Sequence, residues 1–257
     1  MPRQPSAPVV RVGCAGWSIP TRDAALFGAG DSLLARYATR FSVVEINSSF
    51  YRSHQRRTYE RWAATVPAHF RFSVKMPRTV SHDAGLVGVG PLLDRFLDEV
   101  AGLGPHLGAL LLQLPPSLSF DARRVSAFLR ALRRRTDVPV VCEPRHASWF
   151  DPRADALLQR HGVARAAVDP ALHPQAAVPG GAPTPAYWRW HGSPRMYYSD
   201  YPEAALAALA AGVQRHLPAH APAWVIFDNT AHGFAVPNAA RLQVLLAGTG
   251  SAGGRAG

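Results

Sequence analysis

The chain has 257 residues, 47% of them apolar and 18% charged, which fits an ordered globule with one full core and excludes a disordered or low-complexity protein. No apolar run reaches the ~18 residues of a membrane span. The start, MPRQPSAP, has no apolar signal core, so no membrane partner is expected and cytoplasm is the expected compartment. The net charge of +11 reads mainly as solvated arginine, for instance Arg133, Arg134 and Arg135 on one helix, because no basic tail or nucleic-acid motif accompanies it. An anionic ligand or a nucleic acid would be the other reason for such an excess.

Eight short apolar runs, each stopped by polar residues, punctuate the chain in order. VVRVGCAGW from Val9 is followed by DSLLARYATR (31–40), an amphipathic helix with Asp31 or Ser32 as N-cap. SVVEINSSFY from Ser42 precedes a helix that opens at 56–62 and is closed by Pro67. FRFSVKMPR from Phe70 leads to PLLDRFLDEVAGL (91–103), whose apolar residues recur at helical spacing. LGALLLQLPP from Leu107 leads to ARRVSAFLRAL (122–132), behind the natural N-cap Asp121. VPVVCEPRH from Val138 leads to a helix opened by Asp151 and Pro152, with proline in the first turn. VARAAVDP from Val163 breaks the pattern, because residues 170–185 carry too much proline and glycine for a helix. AYWRWHG from Ala186 and AWVIFDNT from Ala223 are the last runs, with helices expected over 202–217 and 237–247.

Short apolar runs bounded by turn residues read as strands buried on both faces, as in parallel sheets. Eight of them alternating with helices predict a single (β/α)8 TIM barrel over 9–247, with an irregular crossover after strand six and frayed tails at 1–8 and 248–257. Cys14 and Cys142 fall on strands one and five, on opposite sides of such a barrel, and are expected to be free thiols.

Function in this architecture gathers at the C-terminal ends of the strands. Residues two apart on a strand share a face, so Glu45 with Asn47, Glu143 with Arg145, and Arg189 with His191 form pairs. Glu45, Lys75, Gln113, Glu143, Arg145, Asp169, Arg189, His191 and Asp228 are expected to converge in the mouth. Charges gathered there must be paired, and a purely structural ion-pair network, Glu143 with Arg189 for instance, is one account of them.

Lys75 stands out in this set. Every other basic residue in the chain is arginine, and lysine alone can readily lose its proton, act as a base or form a Schiff base. With Arg145 and Arg189 beside it, an anion clamp is the favoured reading of Lys75. Glu45 or Glu143 as base and His191 as acid would move a proton. The acidic residues and His191 are also metal-ligand types, but three cations in one mouth oppose a metal. His82, Trp17, Phe50, Tyr51, Trp149, Tyr197, Tyr198 and Tyr201 lie in loops that can line the rim and stack on a ring. Gly13 and Gly16 are too sparse for a dinucleotide fingerprint and no phosphate loop occurs, so no cofactor is expected.

Seven segments together resemble the domain-of-unknown-function 72, or YecE-like, family: GCAGWS (13–18), YATRFSVVEINSSFYR (37–52), FRFSVKMPRTVSHD (70–83), LGALLLQLPPSLSFD (107–121), VCEPRHASWF (141–150), YWRWHG (187–192) and IFDNTAHGFAVPNA (226–239). The resemblance implies a TIM barrel and marks Glu45, Asn47, Lys75, His82, Gln113, Glu143, Arg145, Arg189, His191, Asp228 and Asn229 as characteristic positions. It implies no reaction. Three functions remain in view: a barrel that binds a small phosphorylated or carboxylated metabolite with an isomerase- or lyase-like step, a metal-dependent phosphodiesterase acting on nucleic acid, and a non-catalytic binding barrel.

Overall fold

A computed structural model describes residues 9–217 and 222–250. In chain order the strands and α-helices are β1 (Val10–Ala15), α1 (Leu33–Ala38), β2 (Val43–Ile46), α2 (Arg56–Thr65), β3 (Arg71–Lys75), α3 (Gly90–Val100), β4 (Leu107–Gln113), α4 (Ala122–Arg133), β5 (Val140–Glu143), α5 (Pro152–Arg160), β6 (Val163–Arg165), β7 (Ala167–Asp169), β8 (Gly180–Gly181), β9 (Ala186–Trp190), α6 (Glu203–Arg215), β10 (Ala223–Phe227) and α7 (Ala235–Gly250). The sheet runs β7-β9-β10-β1-β2-β3-β4-β5-β6-β8, and every pairing is parallel except β6 with β8.

The sixth stave is interrupted. β6 pairs with β5, β7 pairs with β9, and the single residue Ala166 joins them. The two ends of the sheet therefore meet in one stretch of chain, and the sheet curls into a nearly closed TIM-like barrel. No α-helix follows this stave. A short 3-10 turn (Pro174–Ala177) and the two-residue β8 replace it, as the proline and glycine content predicts.

Alternation along the staves builds two cores. Val43, Ala109, Leu111, Val141, Ala164, Ala166, Tyr187, Trp224 and Ile226 fill the barrel interior. A larger cluster, including Val44, Phe72, Leu110, Leu112, Cys142 and Phe227, lies between sheet and helices. Cys14 and Cys142 are buried free thiols, and burial pushes the Cys14 thiol up to about 12. Among the described residues no helix is long and apolar enough to cross a membrane.

Helix starts follow the expected caps. Ser32 accepts from Ala35 N, Asp121 from Arg124 N and Asp151 from Arg153 N. Two ends differ from expectation. The stripe over 91–103 leaves the α-helix at Val100 and continues as a 3-10 turn that bends at Gly104, with φ of 51°. The last helix continues to Gly250, into the segment expected to fray from 248, because Leu245 and Leu246 pack on the core and hold its final turns despite poor glycine propensity. The N-terminal tail and residues 251–257 lie outside the described residues. Arg133 also differs from a solvated charge, since it donates to the carbonyls of Val138, His161 and Gly162 and clips α4 to the next turn.

β1 and β2 pair directly only at Cys14 with Val44 and Ala15 with Glu45. Below that, Tyr37 closes the seam by accepting from Cys14 N at 2.8 Å and donating to Val43 O at 3.0 Å. A Cβ on Gly13 would lie 2.1 Å from Val43 O and 2.9 Å from the Tyr37 hydroxyl. Gly13→Ala is predicted to destabilise the barrel by about 1–3 kcal/mol, the range for overpacking, read as a lowered urea midpoint with unchanged slope.

Candidate functional site

Directly above the apolar interior layer lies a polar one, set by the same alternation. β2 contributes Glu45, β3 Ser73 and Lys75, β4 Gln113, β5 Glu143, and β9 Tyr187 and Arg189; His191 and Asp228 follow β9 and β10. Arg189 is at its centre, with 0% exposure. Its Nε and Nη2 grip Glu45 at 3.0 and 2.7 Å, Nη1 reaches Glu143 at 3.1 Å, and Nη2 reaches Asp228 at 2.8 Å. Tyr187 brings its hydroxyl to 3.2 Å from Glu45 Oε2 and 3.0 Å from Ser73 Oγ.

This corrects one expectation. Arg189 has all three nitrogens engaged and no exposed surface, so it does not present an edge to an incoming anion. Three carboxylates converging in one barrel layer require a buried cation, and the guanidinium fork is the side chain that can serve all of them. Asp169 also leaves the expected set. Ala164, Ala166 and Val168 face the interior, so Asp169 faces out, where its Oδ1 accepts from Tyr201 at 2.7 Å.

His191 lies between two carboxylates, Nδ1 at 3.1 Å from Asp228 and Nε2 at 3.4 Å from Glu143. Burial opposes its protonation, but Glu143 and Asp228 outweigh it and raise its pKa above the ordinary value. Burial likewise opposes ionisation of Glu143, yet Arg189, His191 and Arg145 hold its carboxyl well below the usual range. Asp228 is lowered in the same way against its burial, by Arg189 first. Arg145 donates to Glu143 Oε1 through Nε and Nη2 at 3.1 and 3.0 Å. Unlike Arg189 it retains exposure, 19% of its side chain.

The remaining expected residues fall into three positions. Lys75 is 4% exposed, and among the described residues no acceptor bonds its Nζ, which rests 4.2 Å from the centre of the Phe50 ring. Burial, with repulsion from Arg189, lowers its pKa to about 8. Gln113, 5% exposed, likewise has no side-chain partner among the described residues. His82 packs edge-on against Phe50 at 4.9 Å with Nδ1 2.9 Å from Ser81 Oγ, and its pKa is lowered by burial and then by Lys75, which places it beside the mouth. Asn229 donates to Ser199 O and Asn238 Oδ1 and ties the loop after β10 to the loop after β9. Trp17 lies on the rim edge-on to Trp62 at 5.1 Å, lining a shallow hollow with Glu45 and Asn47. The buried Oδ1 atoms of Asn47 and Asn229 have no partner among the described residues.

A cavity of about 420 Å³ opens beside this layer, between β5 and the loops after the sixth stave and β9. Glu143, Arg145 and His191 form its polar end, while Phe150, Val168, Leu172, Ala176 and Met196 form apolar walls. The irregular crossover thus supplies a wall that a regular helix would not. Among the described residues no three His, Cys, Asp or Glu side chains are arranged to hold a metal, since the acidic groups point at Arg189 instead.

Sequence reasoning missed three members of the site. Tyr187 and Ser73 lie two residues before Arg189 and Lys75, so the alternation run backwards along each strand would have found them. Tyr197 stood only among the rim aromatics. Its side chain lies near enough to Arg145 to favour the guanidinium's charge, its ring is edge-on to His191 at 5.8 Å, and its φ of +70° is strained for a non-glycine residue.

Removing the central cation tests this arrangement. Arg189→Met leaves Glu45 without a cationic partner and strips Glu143 and Asp228 of one of theirs, and is predicted to destabilise the protein by about 3–5 kcal/mol at neutral pH. In the native protein the lowered pKa values of Glu143 and Asp228 make a contribution complete above the unfolded value of about 4 and lost as pH falls below it. His191, raised, contributes fully below its unfolded value of about 6.5 and loses that contribution as pH rises through its folded value. The pH of maximum stability should therefore move toward acid in Arg189→Met, measured by denaturation across pH. An unmoved optimum would show that the guanidinium is not what keeps these groups ionised.

The family model described as "Protein of unknown function DUF72" matches residues 11–254. The UPF0759 protein YecE of Escherichia coli K12 is 30% identical over 169 residues, 63% of this chain and 59% of that protein. The chain spans between half and about three fifths of the length of the curated relatives it matches. Crystal structures of DUF72 family proteins from Enterococcus faecalis (TM-score 0.77, 22% identity, covering 93% of this chain and 96% of that one) and Thermotoga maritima (TM-score 0.76, 24% identity, 93% and 99%) share the fold. With a barrel of this topology and a family match along nearly its whole length, the chain belongs to the DUF72 family.

Proposed function

We propose that the mouth binds a small carboxylated or phosphorylated metabolite and carries out a proton transfer of the isomerase or lyase kind. The observation that carries this reading is the pair of cations left over once Arg189 is used up. Arg145 keeps an exposed edge at the cavity, and Lys75 is a buried ammonium without a counter-ion. A buried charge with no partner is costly, and an anionic ligand would relieve it. Three carboxylates face Lys75, Arg145, Arg189 and a histidine held toward its charged form, so the layer is neutral to singly positive and suited to one added negative charge.

The same geometry reassigns the proton-moving group. Glu45 is locked between Arg189 and Tyr187, and Glu143 is held so far toward ionisation that it is a weak base. His191, shifted toward its charged form by the two carboxylates and opening on the cavity, is the better acid and base, with Glu143 and Asp228 orienting its ring. Gln113, with a free amide, and His82 would fix the ligand's polar groups, and the apolar walls would take its body. The protein is read as cytoplasmic, consistent with two buried unpaired cysteines. The phosphodiesterase reading finds no donor set among the described residues.

Thermal unfolding against phosphorylated and carboxylated metabolites, neutral sugars and divalent metals tests this. An anion at about 100 times its Kd adds ~2.7 kcal/mol of stability. Arg145→Met should weaken that binding by about 10- to 100-fold, the loss of a charge-assisted contact. Affinity should fall as pH rises through about 8, where Lys75 loses its charge. Equal shifts with neutral sugars, or no shift with any anion, would overturn the reading. Binding without turnover of any bound compound would leave a non-catalytic barrel.

A further inference from the structure

We infer that Lys75 is a nucleophilic amine which condenses with the carbonyl carbon of an anionic aldehyde or 2-oxo acid bound in the mouth. The inference rests on the anion-binding reading and names the substrate class within it. Its basis is how the charges are shared out. Three carboxylates occupy the layer with Lys75, yet each is turned to another partner: Glu45 and Asp228 to Arg189, and Glu143 to Arg189 and Arg145. Lys75, a residue only 4% exposed, is left at the end of β3 with its Nζ against an aromatic face. A ring face holds an ammonium far less firmly than a carboxylate does.

The groups that act on Lys75 come from every side of the barrel. Arg189 on β9 repels the charged form, while Glu45 on β2, Glu143 on β5 and Asp228 after β10 favour it from beyond ion-pair distance. His82, in the loop after β3, is within electrostatic reach and is itself held toward its neutral form. Burial dominates, and with a pKa of about 8 the amine spends a substantial part of its time as the free base under mild conditions. An ordinary lysine, near 10.4, is under about 1% free base at the same pH. A desolvated lysine of this kind is how carbonyl-condensing sites activate their nucleophile.

The step balances without an oxidant or reductant. The neutral Nζ lone pair adds to the carbonyl carbon and the C=O electron pair moves to oxygen, which takes a proton from the imidazolium of His191. The nitrogen passes one of its protons to the now neutral His191, which gives the neutral carbinolamine. His191 returns that proton to the carbinolamine oxygen, and water leaves as the nitrogen lone pair forms C=N, giving the iminium. Amine, carbonyl compound and one proton become iminium and water. Arg145 keeps the ligand's carboxylate or phosphate, and the iminium draws electrons from the neighbouring carbon, where a proton or a carbon–carbon bond is lost.

The chain makes the test clean, because Lys75 is its single lysine. The full-length protein carrying Arg123→Lys on the exposed face of α4 has one surface lysine as an internal standard. It is incubated at pH 8 with glyoxylate, pyruvate or propionaldehyde and cyanoborohydride, and labelling at the two positions is read by peptide mass spectrometry. The expected result is labelling of Lys75 by glyoxylate or pyruvate at least about tenfold faster than the surface lysine, following the difference in free base. It should saturate with reagent and be slowed by inorganic phosphate. Fast labelling of Lys75 by propionaldehyde alone, without saturation, would keep the nucleophile and overturn the anion site. Labelling no faster than the surface lysine, while phosphate still stabilises the protein, would overturn the nucleophile and keep the anion site. Slow labelling with no phosphate effect would overturn both. Lys75→Arg retains a cation and should lose the adduct without losing the fold, which separates the amine's chemistry from its charge.

Discussion

One guanidinium organises the mouth of this barrel. Arg189 enters from β9 and meets Glu45 from β2, Glu143 from β5 and Asp228 from beyond β10, so a single side chain ties together staves from around the ring. Such a group is costly to desolvate, and ion pairs of this sort are weak evidence for stability. Their effect is on position. With three carboxylates held in place, two of them toward ionisation, the orientation of His191 and Arg145 follows, and the field felt by Lys75 is set.

That field separates the two kinds of titrating group in the layer. His191 lies between two carboxylates and is pushed up from its ordinary value, while Lys75 has only a ring beside it and is pushed down to about 8. A histidine is thereby shifted toward its charged form and a lysine toward its neutral one. Titrating groups perturbed from their ordinary values in this way belong to reactive sites more often than to structural networks.

The interrupted sixth stave accounts for the space in which a ligand would lie. β6 and β7 each pair with one neighbour and share only Ala166, and the chain then runs through the Pro174–Ala177 turn and β8 without an α-helix. Pro170, Leu172, His173 and Ala176 from this segment line the cavity beside Glu143 and His191. The irregularity that departs from an ideal barrel is thus next to the polar layer, where departures from regularity are expected to have a functional cause.

The barrel itself was legible because its signal is local and repeated. Apolar runs with polar stops define the staves, Ser32, Asp121 and Asp151 cap helices where their side chains can reach backbone N–H groups, and the proline and glycine of 170–185 rule out a helix. Period-two alternation was enough to place Glu45, Lys75, Gln113, Glu143, Arg145, Arg189, His191 and Asp228 at one end. What it could not show was how those charges divide among themselves, since partner choice depends on distances across the barrel between residues as far apart as Glu45 and Arg189. Only the curled sheet decided that Arg189 is consumed by three carboxylates, that Asp169 turns outward after Ala166, and that Tyr197 meets His191 from a left-handed backbone. The sequence by itself determined which groups reach the mouth, because strand geometry is local. The tertiary structure decided that Lys75 is left without a partner, because charge pairing is settled by which side chains meet in space.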